Sequence, residues 1–229
     1  MPQLAILIPA WNERLNLELL IPALQEVIRR LGVDAETIVI DGGSHDGTRD
    51  IAEALGARVL IQKERGYGGA LLTGFAATNA PYILTMDADL SHPPVFIEEL
   101  WKRRDEAEVL IASRYIGGGT AEMSRSRRLL SGILNRTYGR LLSLPVRDLS
   151  SGFRMYSRKV LVELKPIARD FDFLEEILIR VYNQGWRVKE VPFHYMPRST
   201  GRSHAKLLQF GWAYLKTLYR MWRLRRWSR

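Results

Sequence analysis

A chain of 229 residues is long enough for one well-cored domain and short for two. Its 46% hydrophobic and 26% charged residues exclude global disorder, and the absence of cysteine excludes disulfides, thiolate metal sites and cysteine nucleophiles. The net charge of +9 sits in the tail: from Val191 onward there are nine Lys or Arg and no Asp or Glu, so the body before it is neutral.

In chain order, Leu4-Ala5-Ile6-Leu7-Ile8 is a continuous apolar run of buried-strand type, closed by Pro9. Residues 15 to 31 carry Leu17, Leu20, Leu24, Val27, Ile28 and Leu31 at helical spacing and end at Gly32. Thr37 to Ile40 is a second strand, after which Asp46 or Thr48 caps a helix running through Leu55. Arg58 to Gln62, Tyr82 to Met86 and Val109 to Ser113 read as further strands. Gly68 to Asn79 and Pro93 to Arg104 read as the helices between them. This β-α-β-α order predicts a mostly parallel sheet with helices on both faces, whose ligands bind outside the carboxyl ends of the strands. Asn12, Glu13, Asp41, Asp87, Asp89 and Arg114 all fall at those ends.

The second half is less regular. Residues 127 to 143 look helical, 148 to 157 look like a loop leading into a helix, and 172 to 184 like another helix. Trp186 to Tyr195 alternates like a strand, and Pro192 within it suggests an edge. No stretch reaches the ~18 uninterrupted apolar residues of a spanning helix, since Leu207 to Leu215 is short and broken by Gln209. An integral membrane protein is therefore not expected. Met1-Pro2-Gln3-Leu4 leads straight into the first strand without a signal-peptide pattern, which with the lack of cysteine fits a reducing compartment.

Three segments carry the chemistry. Asp87-Ala88-Asp89 puts two carboxylates two residues apart at a strand end, where both can turn toward one crevice and offer hard oxygen ligands to Mg²⁺ or Mn²⁺. The same pair would also fit a solvated turn, and its position is what favours the crevice. Asp41 opens the segment Asp41-Gly42-Gly43-Ser44-His45-Asp46-Gly47-Thr48, where it can accept hydrogen bonds from a base or ribose. Gly66-Tyr67-Gly68-Gly69 lies ahead of a helix, as an anion site would, but lacks the full dinucleotide fingerprint.

Together these segments resemble glycosyltransferase family 2, in its dolichol-phosphate (polyprenol-phosphate) mannosyltransferase branch. The resemblance runs through Ile8-Pro9-Ala10-Trp11-Asn12-Glu13, the Asp41 to Thr48 segment, and Asp87 through Pro94. It continues through Ser113-Arg114-Tyr115, Asp148 with Ser151-Gly152-Phe153-Arg154, Glu190-Val191-Pro192 and Arg198 to Ser203. Each motif is weak alone; all of them in order are highly specific. The resemblance implies a GT-A type, Rossmann-like fold over residues 1–206. It implies a nucleotide-sugar site made by Pro9, Ala10, Asn12, Glu13, Asp41, Gly68, Asp87 and Ala88, with Asp87 and Asp89 holding the metal. Arg114, Arg127, Ser131 and Arg198, with His204 or Lys206 in addition, would receive the acceptor and donor phosphates. Gly42 stands where a second aspartate is often found, and Ser91 where some relatives have a metal-contacting glutamine.

The implied activity is inverting transfer of a hexose, first mannose from GDP-mannose, onto polyprenyl or dolichyl phosphate, with Asp89 and Arg114 as the catalytic residues. UDP-glucose, a UDP-amino sugar or a non-lipid acceptor is the alternative. A phosphate monoester, with a second pKa of about 6, is already ionised near neutrality and needs positioning more than deprotonation. Arginine supplies that positioning, and Arg125, Arg127 and Arg128 cluster near a helix start.

In residues 207–229, Phe210, Trp212, Tyr214, Leu215, Leu218, Tyr219, Met221 and Trp222 cover one arc of a helix, opposite Lys216, Arg220 and Arg223. That is the composition of an amphipathic interfacial helix on anionic lipid, and predicts a peripheral protein at the cytoplasmic face of a membrane. Packing of that helix on the core or on a sister subunit is the competing reading. Nucleic acid is not an expected partner, because the body is neutral. A phosphatase using Asp87 as nucleophile would want its aspartates after the first core strand, whereas three strands precede them here.

Overall fold

β1 (Leu4–Ala10) forms the centre of the molecule because both of its faces are apolar. Leu4, Ile6 and Ile8 point into one core layer and Ala5 and Leu7 into the other, the alternation that a doubly covered strand requires. The structure, a computed structural model, describes residues 1–121, 132–133, 135–137, 139–164, 166–170, 172–195, 219–220 and 222–223.

β1 pairs in parallel with β2 (Ala35–Asp41) on one side and β4 (Tyr82–Thr85) on the other, and β3 (Arg58–Ile61) adds beyond β2. The seven-stranded sheet has the order β3-β2-β1-β4-β7-β5-β8, with β5 at Val109–Ser113, β7 at Arg154–Ser157 and β8 at Val188–Pro192. α1 (Arg14–Leu31) covers one face with Leu17, Leu20, Ile21, Leu24 and Val27. It ends in a left-handed Gly32 whose amide returns to the carbonyls of Ile28 and Arg29. α2 (Thr48–Ala54), α3 (Tyr67–Ala77) and α4 (Phe96–Lys102) occupy the crossovers. α4 is shorter than Pro93 to Arg104 because its first turn closes with three-residue bonds back to Pro93 and Pro94. Gly47 takes the cap position of α2, and the Asp46 carboxylate accepts from the Thr48 amide beside it at 3.0 Å.

The mostly parallel sheet is as expected, with one correction. Residues 148–157 were read as a loop leading into a helix, yet Arg154–Ser157 is a strand, antiparallel to both β4 and β5. Met155 and Tyr156 send their side chains into opposite core layers. The polar look of the segment misleads because Arg154 is fully buried. The helix that follows, α5 (Arg158–Val162), is short, and α6 (Phe173–Asn183) sits where a helix was expected.

β8 forms the sheet edge, which accommodates Pro192, and β9 (His194–Tyr195) leaves it to pair with β6 (Thr120–Ala121) in a separate two-stranded ribbon. Residues 132–133, 135–137 and 139–141 are helical, as are 219–220 and 222–223. No helix among the described residues is long and apolar enough to cross a membrane.

Candidate active site

The parallel strands bring their carboxyl ends to one edge, and the polar motifs follow directly from β1, β2, β4 and β5. After β1, Asn12 adopts a left-handed backbone (φ 56), a conformation asparagine tolerates better than most residues. Its amide donates to the Ser44 hydroxyl at 2.8 Å, and its side-chain oxygen accepts from the His45 amide at 2.9 Å. The Glu13 amide donates to Thr48, and the Glu13 carboxylate accepts from Asn16 at 2.5 Å. The Asn-Glu motif and the Asp41 to Thr48 loop thus fold as one unit. Pro9 is half-buried and Ala10 buried behind that unit.

Asp41 is 1% exposed. Its carboxylate accepts from the amides of Gly43 and Ser44 at 3.1 to 3.2 Å and lies 3.5 Å from Arg49. Its described contacts therefore shape the loop. The glycines of the 66–69 segment have a packing explanation. A Cβ on Gly68 would lie 2.7 Å from the Phe173 ring, and those on Gly66 and Gly69 would meet the backbone of Arg169 and Glu64. Gly68, in the first turn of α3, is buried against the start of α6.

Asp87 and Asp89 follow β4, with Ala88 buried between them. The turn is closed by Leu90 in a left-handed conformation (φ 62). Asp89 accepts from the Ser91 amide at 3.1 Å and from its hydroxyl at 2.5 Å. Ser91 is fully buried, so its hydroxyl orients Asp89. The Asp87 amide donates to Nδ1 of His92 at 3.0 Å, which leaves the ring proton on Nε2, 3.9 Å from the Asp87 carboxylate. His92 stacks on Phe153 with centroids 4.8 Å apart, and burial pushes its pKa down against the pull of Asp87 and Asp89. A neutral imidazole therefore backs the aspartate pair.

Arg114, at the end of β5, is gripped by Asp148. Nε and Nη2 donate to the two carboxylate oxygens at 2.8 and 2.7 Å, and the Arg114 amide adds a third bond at 2.9 Å. Burial alone would work against the charged guanidinium, but the Asp148 carboxylate overrides it and holds the arginine protonated. Asp148 is placed in turn by Glu190. That carboxylate accepts from the Asp148 and Arg147 amides at 2.9 Å and from the Ser113 hydroxyl at 2.6 Å. Tyr195 links Arg114 to His92, with its centroid 5.6 Å from the guanidinium and 6.3 Å from the imidazole.

Tyr67, His92, Asp148 and Glu190 are the members that sequence reasoning gave no role. The Asp-x-Asp-x-x-His spacing was the one visible signal for His92. Arg127, Ser131, Arg198, His204 and Lys206, with Arg125 and Arg128, lie outside the described residues. Two carboxylates of hard oxygen character suit Mg²⁺ or Mn²⁺. No third His, Asp or Glu completes a metal cluster among the described residues. The remaining positions would fall to diphosphate oxygens and water, as these ions prefer.

An open, mostly parallel sheet that gathers paired aspartates and a half-buried arginine at its carboxyl edge defines a Rossmann-like α/β protein of GT-A type. The chain belongs to glycosyl transferase family 2, whose sequence model matches residues 5–165. It is 33% identical over 230 residues to the dolichol-phosphate mannosyltransferase of Pyrococcus furiosus. That alignment covers 96% of this chain and 63% of the relative, so the chain spans less than two thirds of that protein's length. It is also 33% identical over 213 residues to the polyprenol monophosphomannose synthase of Mycolicibacterium smegmatis, covering 86% of this chain and 79% of that protein.

Among solved structures it resembles glucosyl-3-phosphoglycerate synthase from Mycobacterium tuberculosis. For the complex with Mn²⁺, UDP and glucosyl-3-phosphoglycerate the TM-score is 0.77 at 22% identity, covering 96% of this chain and 80% of the other. For the complex with Mg²⁺ and UDP it is 0.76 at 22% identity, covering 96% and 79%. At that identity the likeness is one of fold.

Proposed function

We propose that the protein is an inverting, metal-dependent glycosyltransferase that moves a hexose, first mannose from GDP-mannose, onto a polyprenyl or dolichyl phosphate at a membrane surface. The observation that carries this reading is the convergence of Asp87, Asp89 and the Asp148-held Arg114 on one carboxyl edge, in a chain 33% identical to two polyprenol-phosphate mannose transferases. Pro9, Ala10, Asn12, Glu13 and Asp41 border the nucleotide. Asp87 and Asp89 would hold Mg²⁺ or Mn²⁺, whose positive charge would offset the negative charge that grows as the anomeric bond breaks. Arg114, fixed and always charged, stabilises a phosphate oxygen beside it. Arg127, Ser131 and Arg198, with His204 or Lys206, belong to the acceptor phosphate in this reading. A dianionic acceptor needs no base, which agrees with a buried His92 whose Nδ1 already accepts from the Asp87 amide.

Nucleotide release from GDP-mannose and from UDP-glucose, each with and without polyprenyl phosphate and Mn²⁺, tests the proposal. Lipid- and metal-dependent release of one nucleotide diphosphate is expected. Lipid-independent phosphatase activity, or no turnover of either donor, would overturn it.

The tail belongs to the same proposal, at the cytoplasmic face. Arg220, on the side opposite the apolar arc, pairs with Asp172 at 2.6 Å and lies 3.7 Å from Glu176 on α6. Tyr219 and Trp222 stack on each other and remain 61% and 38% exposed. A basic side against the acidic start of α6 and an aromatic side outward suit a helix lying between body and bilayer. Truncation after Lys206 is expected to weaken binding to anionic vesicles at least ~10-fold, since each surface cation contributes about 1 kcal/mol. Unchanged vesicle binding in a sedimentation assay would remove the interfacial role.

A further inference from the structure

The Gly66-Tyr67-Gly68-Gly69 and Ser151-Gly152-Phe153-Arg154 segments are far apart in sequence, and neither is absorbed by the chemistry described so far. They meet at one atom. The Tyr67 hydroxyl donates to Oδ1 of Asp87 at 3.3 Å. A Cβ on Gly152 would lie 2.5 Å from that hydroxyl and 3.3 Å from the same carboxylate oxygen. Glycine at 152 therefore leaves the space through which the phenol reaches the aspartate.

The segment that carries the ring is fixed at three points. Gly66 turns the chain with φ 90 and packs on the Arg169 carbonyl and on Asp170. The Gly69 amide donates to the Arg169 carbonyl at 3.0 Å. Gly68 abuts Phe173, whose neighbours in the apolar layer also pack on Tyr67. Burial, reinforced by the charge of Asp87, pushes the phenol pKa well up, so the hydroxyl remains a donor at any working pH.

We propose that Tyr67 is a positioning residue that fixes the Asp87 carboxylate for a divalent cation, with Gly152 as the gap that admits its hydroxyl. The proposal rests on the reading of Asp87 and Asp89 as metal ligands. Asp87 is the more open of the two: its side chain is 34% exposed, against 5% for Asp89 as a whole, which Ser91 holds directly. Asp87 has the Tyr67 hydroxyl on one oxygen and the His92 ring 3.9 Å from the other. Removing the hydroxyl frees the carboxylate to rotate, so cation binding loses the pre-set geometry. Loss of an outer partner of a metal ligand commonly weakens affinity 10- to 100-fold.

The test is Tyr67→Phe, which keeps the ring and its packing and deletes only the donor. Mn²⁺ is titrated into the full-length protein with saturating GDP, and again with UDP, and the free ion is followed by electron paramagnetic resonance. Mn²⁺ affinity about 10-fold weaker than wild type is expected, with unchanged nucleotide affinity in EDTA and an unchanged metal-free melting temperature. Affinity within twofold of wild type would overturn the proposal, as would an equal loss of metal-free nucleotide binding. Asp89→Asn is run beside it. If it loses Mn²⁺ while Tyr67→Phe does not, only the positioning role fails. If neither loses Mn²⁺, the metal site itself fails.

Discussion

Asp89→Asn is expected to lower metal-dependent sugar transfer about 1,000-fold while leaving the fold intact. Asp89 is 5% exposed as a whole, and its Oδ1 accepts two bonds from Ser91. Asparagine keeps that oxygen, so the turn through Leu90 retains its closure. What is lost is the negative charge that would hold a divalent cation against the donor diphosphate. Lewis-acid stabilisation of a departing diphosphate contributes several kcal/mol, and each 1.4 kcal/mol is about a tenfold in rate. The measurement is nucleoside diphosphate release at saturating donor over a range of Mn²⁺ concentrations. A variant within tenfold of wild type, with the same Mn²⁺ dependence, would refute the metal role of the pair.

The parts of this site that were legible in the sequence are those whose signal is local. Leu4–Ile8 announces a doubly covered strand by itself, and the spacing of Leu17, Leu20, Leu24 and Val27 announces the helix that packs on it. A carboxylate at the end of such a strand has one place to go. The ordered motifs from Pro9 to Arg202 added the family.

What was not legible depends on contacts between distant segments. Arg154 looks like a loop residue until three carbonyls and two core layers surround it, and β7 is too short for periodicity to announce it. Glu190 acts on Arg114 through Asp148, across 42 residues of chain, and through the Ser113 hydroxyl. The glycines at 66, 68 and 69 suggested phosphate, but packing on Glu64, Arg169 and Phe173 accounts for them. Spacing puts Arg220 opposite the apolar arc of the tail, but only the fold shows that Asp172 and Glu176 at the start of α6 receive it.

Arg154 is expected to be among the most destabilising positions to truncate. It is 0% exposed and donates from Nε to Ser151, from Nη1 to Leu174 and from Nη2 to Leu149, at 2.7, 2.8 and 2.5 Å. One guanidinium thus ties the 149–151 loop, which leads from Asp148 to Gly152, to the first turn of α6. Arg154→Met would take the donor from the buried carbonyls of Leu149 and Ser151, untie the loop from Leu174, and leave the buried Glu175 without its nearby positive charge. Breaking such an arrangement costs about 3–5 kcal/mol, a fall of roughly 6–20 °C in melting temperature at this chain length. Calorimetry at pH 7 reads it, and a shift of a degree or two would show that the loop holds without the guanidinium.

Glu175 gives the same region a pH signature. Burial pushes its carboxyl up to about 7 despite the opposing pull of Arg154, and its Oε2 has no hydrogen-bond partner among the described residues. The folded state therefore keeps a proton that the unfolded chain releases near 4.5. This group's contribution to stability is highest below that pH, falls as pH rises toward 7, and is level above it. Glu175→Gln is expected to match wild type near pH 4.5 and to exceed it by up to ~3 kcal/mol at pH 8, by urea unfolding at each pH. Parallel stability curves for the two proteins would mean that the carboxyl ionises in the folded state as freely as in water. In that case Arg154 would hold a full ion pair, and its loss would be costlier still.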